Sequence, residues 1–160
     1  MILIDTSGLL AALFPDQNHH EECARALRDA EPPRILSPFV LAELDYLILK
    51  YAGIEAELAL IGEIERGVYE IPEVRRFEWR DIEIMLERYA DLRVGLADAS
   101  LIIFADRYRT NEVLTLDQRH FRAMRPTTFG SFRILPFDPE PPPRIKPAPG
   151  RSRTRRALRR

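Results

Sequence analysis

Four acidic residues occur where the surrounding sequence is apolar or marks the end of a strand. Asp5 follows the apolar run of residues 2–4, and Asp117 follows a second apolar run. Glu43 lies within an apolar helical pattern, and Asp98 falls in the first turn of another. Ligands of open α/β sheets bind at the carboxyl ends of the strands, where such acids are placed. The four acids are therefore candidate functional residues, provided that the fold brings them together.

Clustered carboxylates favour one kind of chemistry. Two of them about 4 Å apart repel by about 4 kcal/mol at an effective dielectric constant near 20, and burial adds to this cost. Protons or cations must offset the repulsion. Mg²⁺ takes oxygen ligands and commonly binds one or two carboxylates, several waters and a substrate phosphate, so a cluster of these acids indicates phosphoryl chemistry. Nearby hydroxyl groups are candidates to orient the carboxylates, and they are those of Thr6, Ser7, Ser100 and Thr115.

These residues also have simpler interpretations. Asp is a common helix N-cap, so Asp5 could only cap the helix that follows it. Glu43 could be an exposed helix residue. His120 comes shortly after Asp117, but a surface contact is its expected role. Cys23 lies on an apolar helical face and is expected in the core.

The pattern of apolar residues predicts the elements that position the acids. Residues 2–4 do not alternate in polarity, which is typical of a strand covered on both faces in a parallel sheet. Further strands are predicted at 34–37, 68–72, 112–116 and 132–137, the last at a sheet edge because Pro136 cannot donate to a ladder. Helices are predicted at 9–14, 19–30, from 38 to before Gly53, 54–66, 80–91 and 96–105, with a short turn or helix at 118–124. The alternation predicts an α/β layered fold with a central parallel sheet flanked by helices.

The chain of 160 residues predicts one domain followed by a tail. Residues 140–160 carry eight Lys or Arg and one acid, whereas residues 1–139 carry 16 basic and 24 acidic side chains. We expect a folded domain over 1–138 and an extended or disordered Pro/Arg-rich tail over 139–160. The tail could be only a solvated terminus, bind RNA phosphates, or lie across the acidic pocket in competition with metal.

Composition also restricts the cellular setting. No apolar run approaches the roughly 20 residues that cross a bilayer, and residues 1–4 lack the basic flank of a signal peptide. Cys23 is the only cysteine, so no internal disulfide can form. We expect a cytoplasmic protein with no membrane partner.

Four short motifs in order resemble the PIN-domain ribonucleases, and within them the VapC toxins of prokaryotic toxin–antitoxin pairs. They are Ile4-Asp5-Thr6-Ser7, Ala42-Glu43-Leu44, Leu96-Ala97-Asp98-Ala99 and Leu114-Thr115-Leu116-Asp117, the last followed by His120-Phe121. The resemblance covers roughly residues 1–137 and implies a three-layer PIN-like fold.

The resemblance implies that Asp5, Glu43, Asp98 and Asp117 hold Mg²⁺ or Mn²⁺ and that Thr6 supports the first acid. It implies endonucleolytic hydrolysis of RNA with a metal-activated water. It also implies a homodimer and a small antitoxin that wraps apolar helices and inserts a basic side chain into the pocket. Exposed apolar residues on the helices at 54–66 and 80–91 would be natural contacts.

Other functions that cluster acids at strand ends fit less well. Haloacid-dehalogenase-type enzymes need a second Asp two residues after the first, and position 7 is Ser. Response-regulator receivers need a lysine after a late strand, and the chain has only Lys50 and Lys146. The alternative that stays open is a catalytically inactive PIN-like module that binds RNA or protein.

Overall fold

A four-stranded parallel sheet forms the centre of the computed structural model, which describes residues 1–139. The strands are β1 (Ile2–Ile4), β2 (Arg34–Leu36), β3 (Glu112–Leu114) and β4 (Arg133–Leu135), in the order β2-β1-β3-β4. All neighbouring strands are parallel, and Leu3 stands opposite Ile35 on one side and Val113 on the other. The predicted tail lies outside the described residues, apart from its first position.

Among the described residues, 1–139, seven helices flank the sheet, as the alternation of elements predicts. They are α1 (Thr6–Leu13), α2 (His20–Asp29), α3 (Pro38–Tyr51), α4 (Ile54–Glu65), α5 (Glu78–Arg88), α6 (Leu96–Tyr108) and α7 (Gln118–Ala123). Successive side chains of a strand point to opposite faces. Because all three residues of β1 are fully buried, helices cover the sheet on both faces, which confirms the three-layer α/β fold.

The strand order determines where a ligand can reach the sheet. From β1 the chain crosses first to β2 on one side, whereas β3 and β4 lie on the other side. The carboxyl end of β1 therefore lies at the switch point of the topology, where open α/β sheets form a crevice. Asp5 is the first residue after β1, so its carboxylate lies at this edge.

The predicted strand over residues 68–72 is wrong in extent. Only Glu70 pairs with the sheet: its N–H donates to the Arg34 carbonyl at 2.8 Å, and its carbonyl accepts from the Leu36 N–H at 2.9 Å. The Val68 N–H donates to the Glu63 carbonyl at the end of α4, and Pro72 has no N–H to donate. Val68 and Pro72, two positions before and after Glu70, therefore cannot extend the pairing, which is limited to Glu70.

The hydrophobic core lies between the sheet and α1, α3 and α6. Most of α6 is buried, including Leu101, Ile102 and Phe104, which confirms the prediction of a central buried helix. Cys23 is also fully buried, as its position on an apolar face predicts. Within residues 1–139, no helix is long and apolar enough to cross a membrane.

An exposed apolar row runs along α4. Ile54, Leu58 and Ile61 keep 58, 62 and 48% of their surface accessible. Their spacing places them on one side of the helix. Three such residues side by side form a surface on which another protein could dock.

Candidate active site

Two hydroxyl groups hold the Asp5 carboxylate at the end of β1. The Ser7 and Thr115 hydroxyls each donate to Asp5 Oδ2 at 2.7 Å. Thr115 is fully buried, and Asp5 itself is only 7% exposed. The Asp5 side chain makes no capping hydrogen bond to α1, so the simpler interpretation of this residue is wrong. The Asp5 carboxylate is instead fixed between the carboxyl ends of strands β1 and β3.

The same hydroxyls also organise the backbone beyond β3. Ser7 Oγ lies 3.1 Å from Thr115 Oγ1 and accepts from the Leu116 N–H at 2.9 Å. Thr115 Oγ1 accepts from the Asp117 N–H, also at 2.9 Å. The position of Asp117 is therefore coupled to that of Asp5 through Ser7 and Thr115.

Close approach of α1 to β3 depends on Gly8. A Cβ atom at this position would lie 2.3 Å from the Leu114 carbonyl oxygen and 2.5 Å from its carbon. Any side chain would push the helix away from the strand. Gly8 thus allows Ser7 to reach Thr115, although none of the motifs singles out this residue. A glycine directly after the Asp-Thr-Ser motif was the available signal.

Thr6 supports a different acid from the one that the resemblance implies. Its hydroxyl donates to Glu43 Oε2 at 2.6 Å, and it makes no hydrogen bond to Asp5 among the described contacts. Thr6 is the first residue of α1, and Glu43 lies two turns into α3. The bond therefore ties these two helices together at the carboxyl edge of the sheet. Glu43 itself is exposed rather than embedded in the apolar face of α3.

Asp98 lies at the start of α6, close to the other acids. The Gly95 N–H donates to its Oδ2 at 3.3 Å, which completes a capping interaction. Burial is the main reason why the pKa of Asp98 is raised, and the nearby Asp5 and Asp117 carboxylates raise it further. The charges of three acids therefore act on one another at this edge of the sheet.

His120 joins two of the acids, a contact that its position in the sequence does not reveal. Its Nδ1 lies 3.2 Å from Asp98 Oδ2 and 3.1 Å from Asp117 Oδ2. Its Nε2 lies 2.9 Å from the Leu92 carbonyl, and because a carbonyl only accepts, Nε2 must be the donor. His120 is thus half-buried between acids rather than a plain surface contact. Asp117 also caps α7 by accepting from the His120 N–H at 3.0 Å.

Ser100 does not contact the acids. Its hydroxyl lies 2.6 Å from the Ser37 hydroxyl and donates to the Ala97 carbonyl. This fully buried pair joins α6 to the start of α3, where Ser37 caps the helix. Ser100 therefore aligns the helices that carry Asp98 and Glu43 and does not orient a carboxylate.

The donor set of this site fits a hard divalent cation. Asp5, Glu43, Asp98 and Asp117 offer only carboxylate oxygens, and their repulsion would be relieved by positive charge. Within residues 1–139, no three His, Cys, Asp or Glu side chains already stand close enough to enclose a metal ion. This is compatible with Mg²⁺, which commonly uses one or two carboxylates together with water and substrate phosphate.

The parallel sheet in the order β2-β1-β3-β4, with acids at its carboxyl edge, defines an α/β protein of the PIN-domain class. The family model described as PIN domain matches residues 2–125. The chain belongs to the PIN-domain family.

Two relatives refine this assignment. Ribonuclease VapC26 of Mycobacterium tuberculosis (strain ATCC 25618 / H37Rv) is 42% identical over 138 residues, which are 84% of this chain and 100% of the relative. The crystal structure of VapC20 from Mycobacterium tuberculosis, described as a sarcin-ricin loop cleaving toxin, superposes with a TM-score of 0.68. That match covers 75% of this chain and 92% of VapC20 at 19% identity, so it supports the fold alone.

Proposed function

We propose that this protein is a metal-dependent endoribonuclease that hydrolyses RNA phosphodiester bonds and acts as the toxin of a type II toxin–antitoxin system. The observation that carries the proposal is the cluster of acids at the carboxyl edge of the sheet. Thr115 ties Asp5 to the backbone of Asp117, and His120 lies between Asp117 and Asp98. Similarity to a named ribonuclease over 138 residues supports RNA as the substrate.

The candidate ligands for Mg²⁺ or Mn²⁺ are Asp5, Glu43, Asp98 and Asp117, of which one or two would contact a cation directly. When bound, the cation supplies positive charge to the scissile phosphate and to the attacking water. Ser7 and Thr115 orient Asp5 through its Oδ2, and Thr6 orients Glu43. These hydroxyls keep the carboxylates in place before the substrate arrives, which reduces the cost of reorganisation during the reaction.

His120 has a separate part in this proposal. In the absence of a cation, its Nδ1 lies between the Asp98 and Asp117 carboxylates and separates their charges. Its bond to the Leu92 carbonyl fixes the orientation of the ring. His120 therefore acts as a positioning residue for the two acids rather than as a nucleophile.

The partners implied by the toxin role are a small antitoxin and a second copy of the chain. The exposed apolar row of α4, formed by Ile54, Leu58 and Ile61, supports such contacts. An antitoxin with a basic side chain would also find the acidic pocket electrostatically favourable. Similarity to a VapC protein supports this part of the proposal.

The test is cleavage of total RNA by purified protein with Mg²⁺ or Mn²⁺, with EDTA as a control. Asp98→Asn should abolish cleavage, whereas Asp16→Asn, which removes an exposed loop acid, should leave it unchanged. Mg²⁺ should also raise the melting temperature of the wild-type protein more than that of Asp98→Asn, because it binds the native state. Folded, partner-free protein that binds RNA without cleaving it would favour an inactive PIN-like binding module.

A further inference from the structure

The segment of residues 75–80 has an unusual surface composition. Its sequence is Arg75-Arg76-Phe77-Glu78-Trp79-Arg80, which interleaves basic and aromatic residues. Phe77 and Trp79 remain 64 and 48% exposed, and the three arginines are exposed as well. The segment leads into α5 and forms its first turn. We call it the Arg–aromatic segment.

The single acid of this segment is withdrawn from the surface. Glu78 is only 4% exposed, and it forms a buried ion pair with Arg107 of α6. The Arg107 Nε donates to Glu78 Oε1 at 2.9 Å, and the Arg75 N–H donates to Glu78 Oε2 at 2.7 Å. The side chains that face solvent are therefore only arginine and aromatic.

The same ion pair makes the Arg–aromatic segment rigid. The guanidinium of Arg107 also donates twice to the Glu73 carbonyl, at 3.0 Å each. Glu73 and Arg75 are thus fixed to α6 from the side of the core. The backbone that leads to the aromatic residues does not have to be ordered when a ligand arrives, which lowers the entropic cost of binding.

Positive charge here contrasts with the rest of the domain. Residues 1–139 carry 16 basic and 24 acidic side chains, and three of the basic ones fall within six positions. Arg80 pairs with Glu83, but this pair is exposed and contributes little. The exposed acids Glu73, Asp81 and Glu83 border the segment, so the charge that favours a polyanion is confined to the three arginines of the segment themselves.

The Arg–aromatic segment lies beside the acidic site. The Trp79 ring contacts Phe39 edge to face, with centroids 5.7 Å apart and planes at 77°. Phe39 is one helical turn before Glu43 on the same side of α3, which separates their Cβ atoms by about 6 Å. Trp79 therefore packs against the turn of α3 that precedes Glu43, one of the four acids.

We propose that the Arg–aromatic segment is a binding subsite for unpaired nucleotides of the RNA substrate, next to the scissile phosphate. A base stacks on the exposed face of Trp79, and the neighbouring phosphates contact Arg76 and Arg80. Stacking needs a free base face, so the subsite selects loops or single strands over duplex RNA. This inference rests on the proposed ribonuclease function and adds the structural class of its substrate.

A protein partner is a less suitable occupant of this surface. Docking faces for amphipathic helices present aliphatic rows, and the chain has such a row on α4. The Arg–aromatic segment has no exposed aliphatic residue. Exposed aromatic residues interleaved with arginine are the combination with which proteins bind single-stranded nucleic acids.

Trp79 is the only tryptophan of the chain, so its fluorescence reports directly on the subsite. The experiment titrates the uncleaving Asp98→Asn protein with an eight-nucleotide single-stranded RNA and with its duplex. Anisotropy of a labelled RNA gives the affinity independently. We expect the single strand to quench Trp79 and the duplex to do so weakly. Trp79→Ala, in the same background, should weaken binding of the single strand by about 5- to 150-fold.

Three further variants make the test specific. Trp79→Phe keeps a stacking ring and should retain most of the affinity. Arg76→Gln should reduce the slope of log affinity against log salt by about 0.7, the value for one phosphate contact on a single strand. Tyr46→Ala removes a ring that is 60% exposed elsewhere on α3 and should leave the affinity unchanged. A thermal melt of each variant establishes that it is folded.

Two outcomes would overturn the subsite. One outcome is that single-stranded RNA binds the Asp98→Asn protein without quenching Trp79 and that Trp79→Ala binds it with the same affinity. The other is a loss of self-association in Trp79→Ala, measured by sedimentation, which would identify a contact between copies of the chain. Cleavage of total RNA by the wild-type protein would still support the ribonuclease proposal in both cases. Quenching without any cleavage would instead refute the ribonuclease and support the subsite.

Discussion

Substitution of Gly8 by Ala tests whether close packing of α1 against β3 builds the acidic site. The new Cβ would lie 2.3 Å from the carbonyl oxygen of Leu114 and 2.8 Å from the Cγ of the Leu114 side chain. Ordinary contact requires α1 to move by about 1 Å, and such overpacking costs about 3 kcal/mol. Higher helix propensity of Ala returns about 1 kcal/mol. We therefore expect a net loss of about 2 kcal/mol in the free energy of unfolding.

The displacement should also affect the site, because Ser7 precedes Gly8. Ser7 would no longer hold Asp5 Oδ2 at 2.7 Å. A shift of about 1 Å in a catalytic group can lower the rate about 100-fold, so RNA cleavage should fall to that extent. Urea unfolding followed by circular dichroism measures the stability, and cleavage of a labelled RNA measures the activity.

Gly62 supplies a matched control within α4. A Cβ at this position would meet only the end of the flexible Arg66 side chain, at 3.2 Å. Gly62→Ala should therefore gain up to about 1 kcal/mol of stability and leave cleavage unchanged. If Gly8→Ala were as stable as Gly62→Ala, or as active as the wild type, the proposed role of the close contact would be refuted.

Three other predictions follow from buried polar groups. Thr115→Val removes a donor to Asp5 Oδ2 and should reduce cleavage 10- to 100-fold at unchanged secondary structure, measured by initial rates. Burial raises the pKa of Glu57 above its ordinary value of 4.5. The native state then binds the proton more tightly than the unfolded chain, so stability falls as pH rises above 4.5. Glu57→Gln should stabilise the protein at pH 7 and not at pH 3, measured by urea unfolding. Arg107→Gln leaves Glu78 buried without its partner and should destabilise the fold by about 3 kcal/mol in the same assay.

Each of these has its own control. Thr128→Val, at an exposed position, should not affect cleavage. If Thr128→Val lowered the cleavage rate as much as Thr115→Val, the proposed role of the Thr115 hydroxyl would be contradicted. Glu55→Gln, at an exposed position of α4, should show no such pH dependence. The double variant Glu78→Gln/Arg107→Gln should recover part of the lost stability, because no charge is left buried. A double variant less stable than Arg107→Gln would contradict the ion-pair explanation.

Much of the fold could be predicted because the signals are local. The unalternating run of residues 2–4 indicates a strand covered on both faces, and β1 is fully buried. Apolar residues nearly all round residues 96–105 indicate a buried helix, and α6 fills this role. The prediction of a strand over residues 68–72 is wrong in extent because Pro72 has no N–H to donate to β2 and the Val68 N–H bonds to Glu63 at the end of α4.

The site likewise combines features that local sequence reveals with contacts that only the fold determines. Residue type and position after strands single out Asp5 and Asp117, since parallel strands end at one edge of a sheet. Which hydroxyl meets which acid depends on contacts between residues far apart in the chain. Thr115 reaches Asp5 across 110 positions, and Thr6 reaches Glu43 across 37. Neighbourhood in sequence pairs Thr6 with Asp5, whereas in the structure it contacts α3.

The sequence by itself determined the strand and helix types, the family motifs and the acids, because periodicity and residue chemistry are properties of short segments. Only the tertiary structure decided that His120 lies between Asp98 and Asp117 and that Gly8 permits α1 to touch β3. Only the tertiary structure placed Trp79 against Phe39, one helical turn before Glu43. These relations follow from strand order and helix packing, which set the distances between segments that no local pattern records.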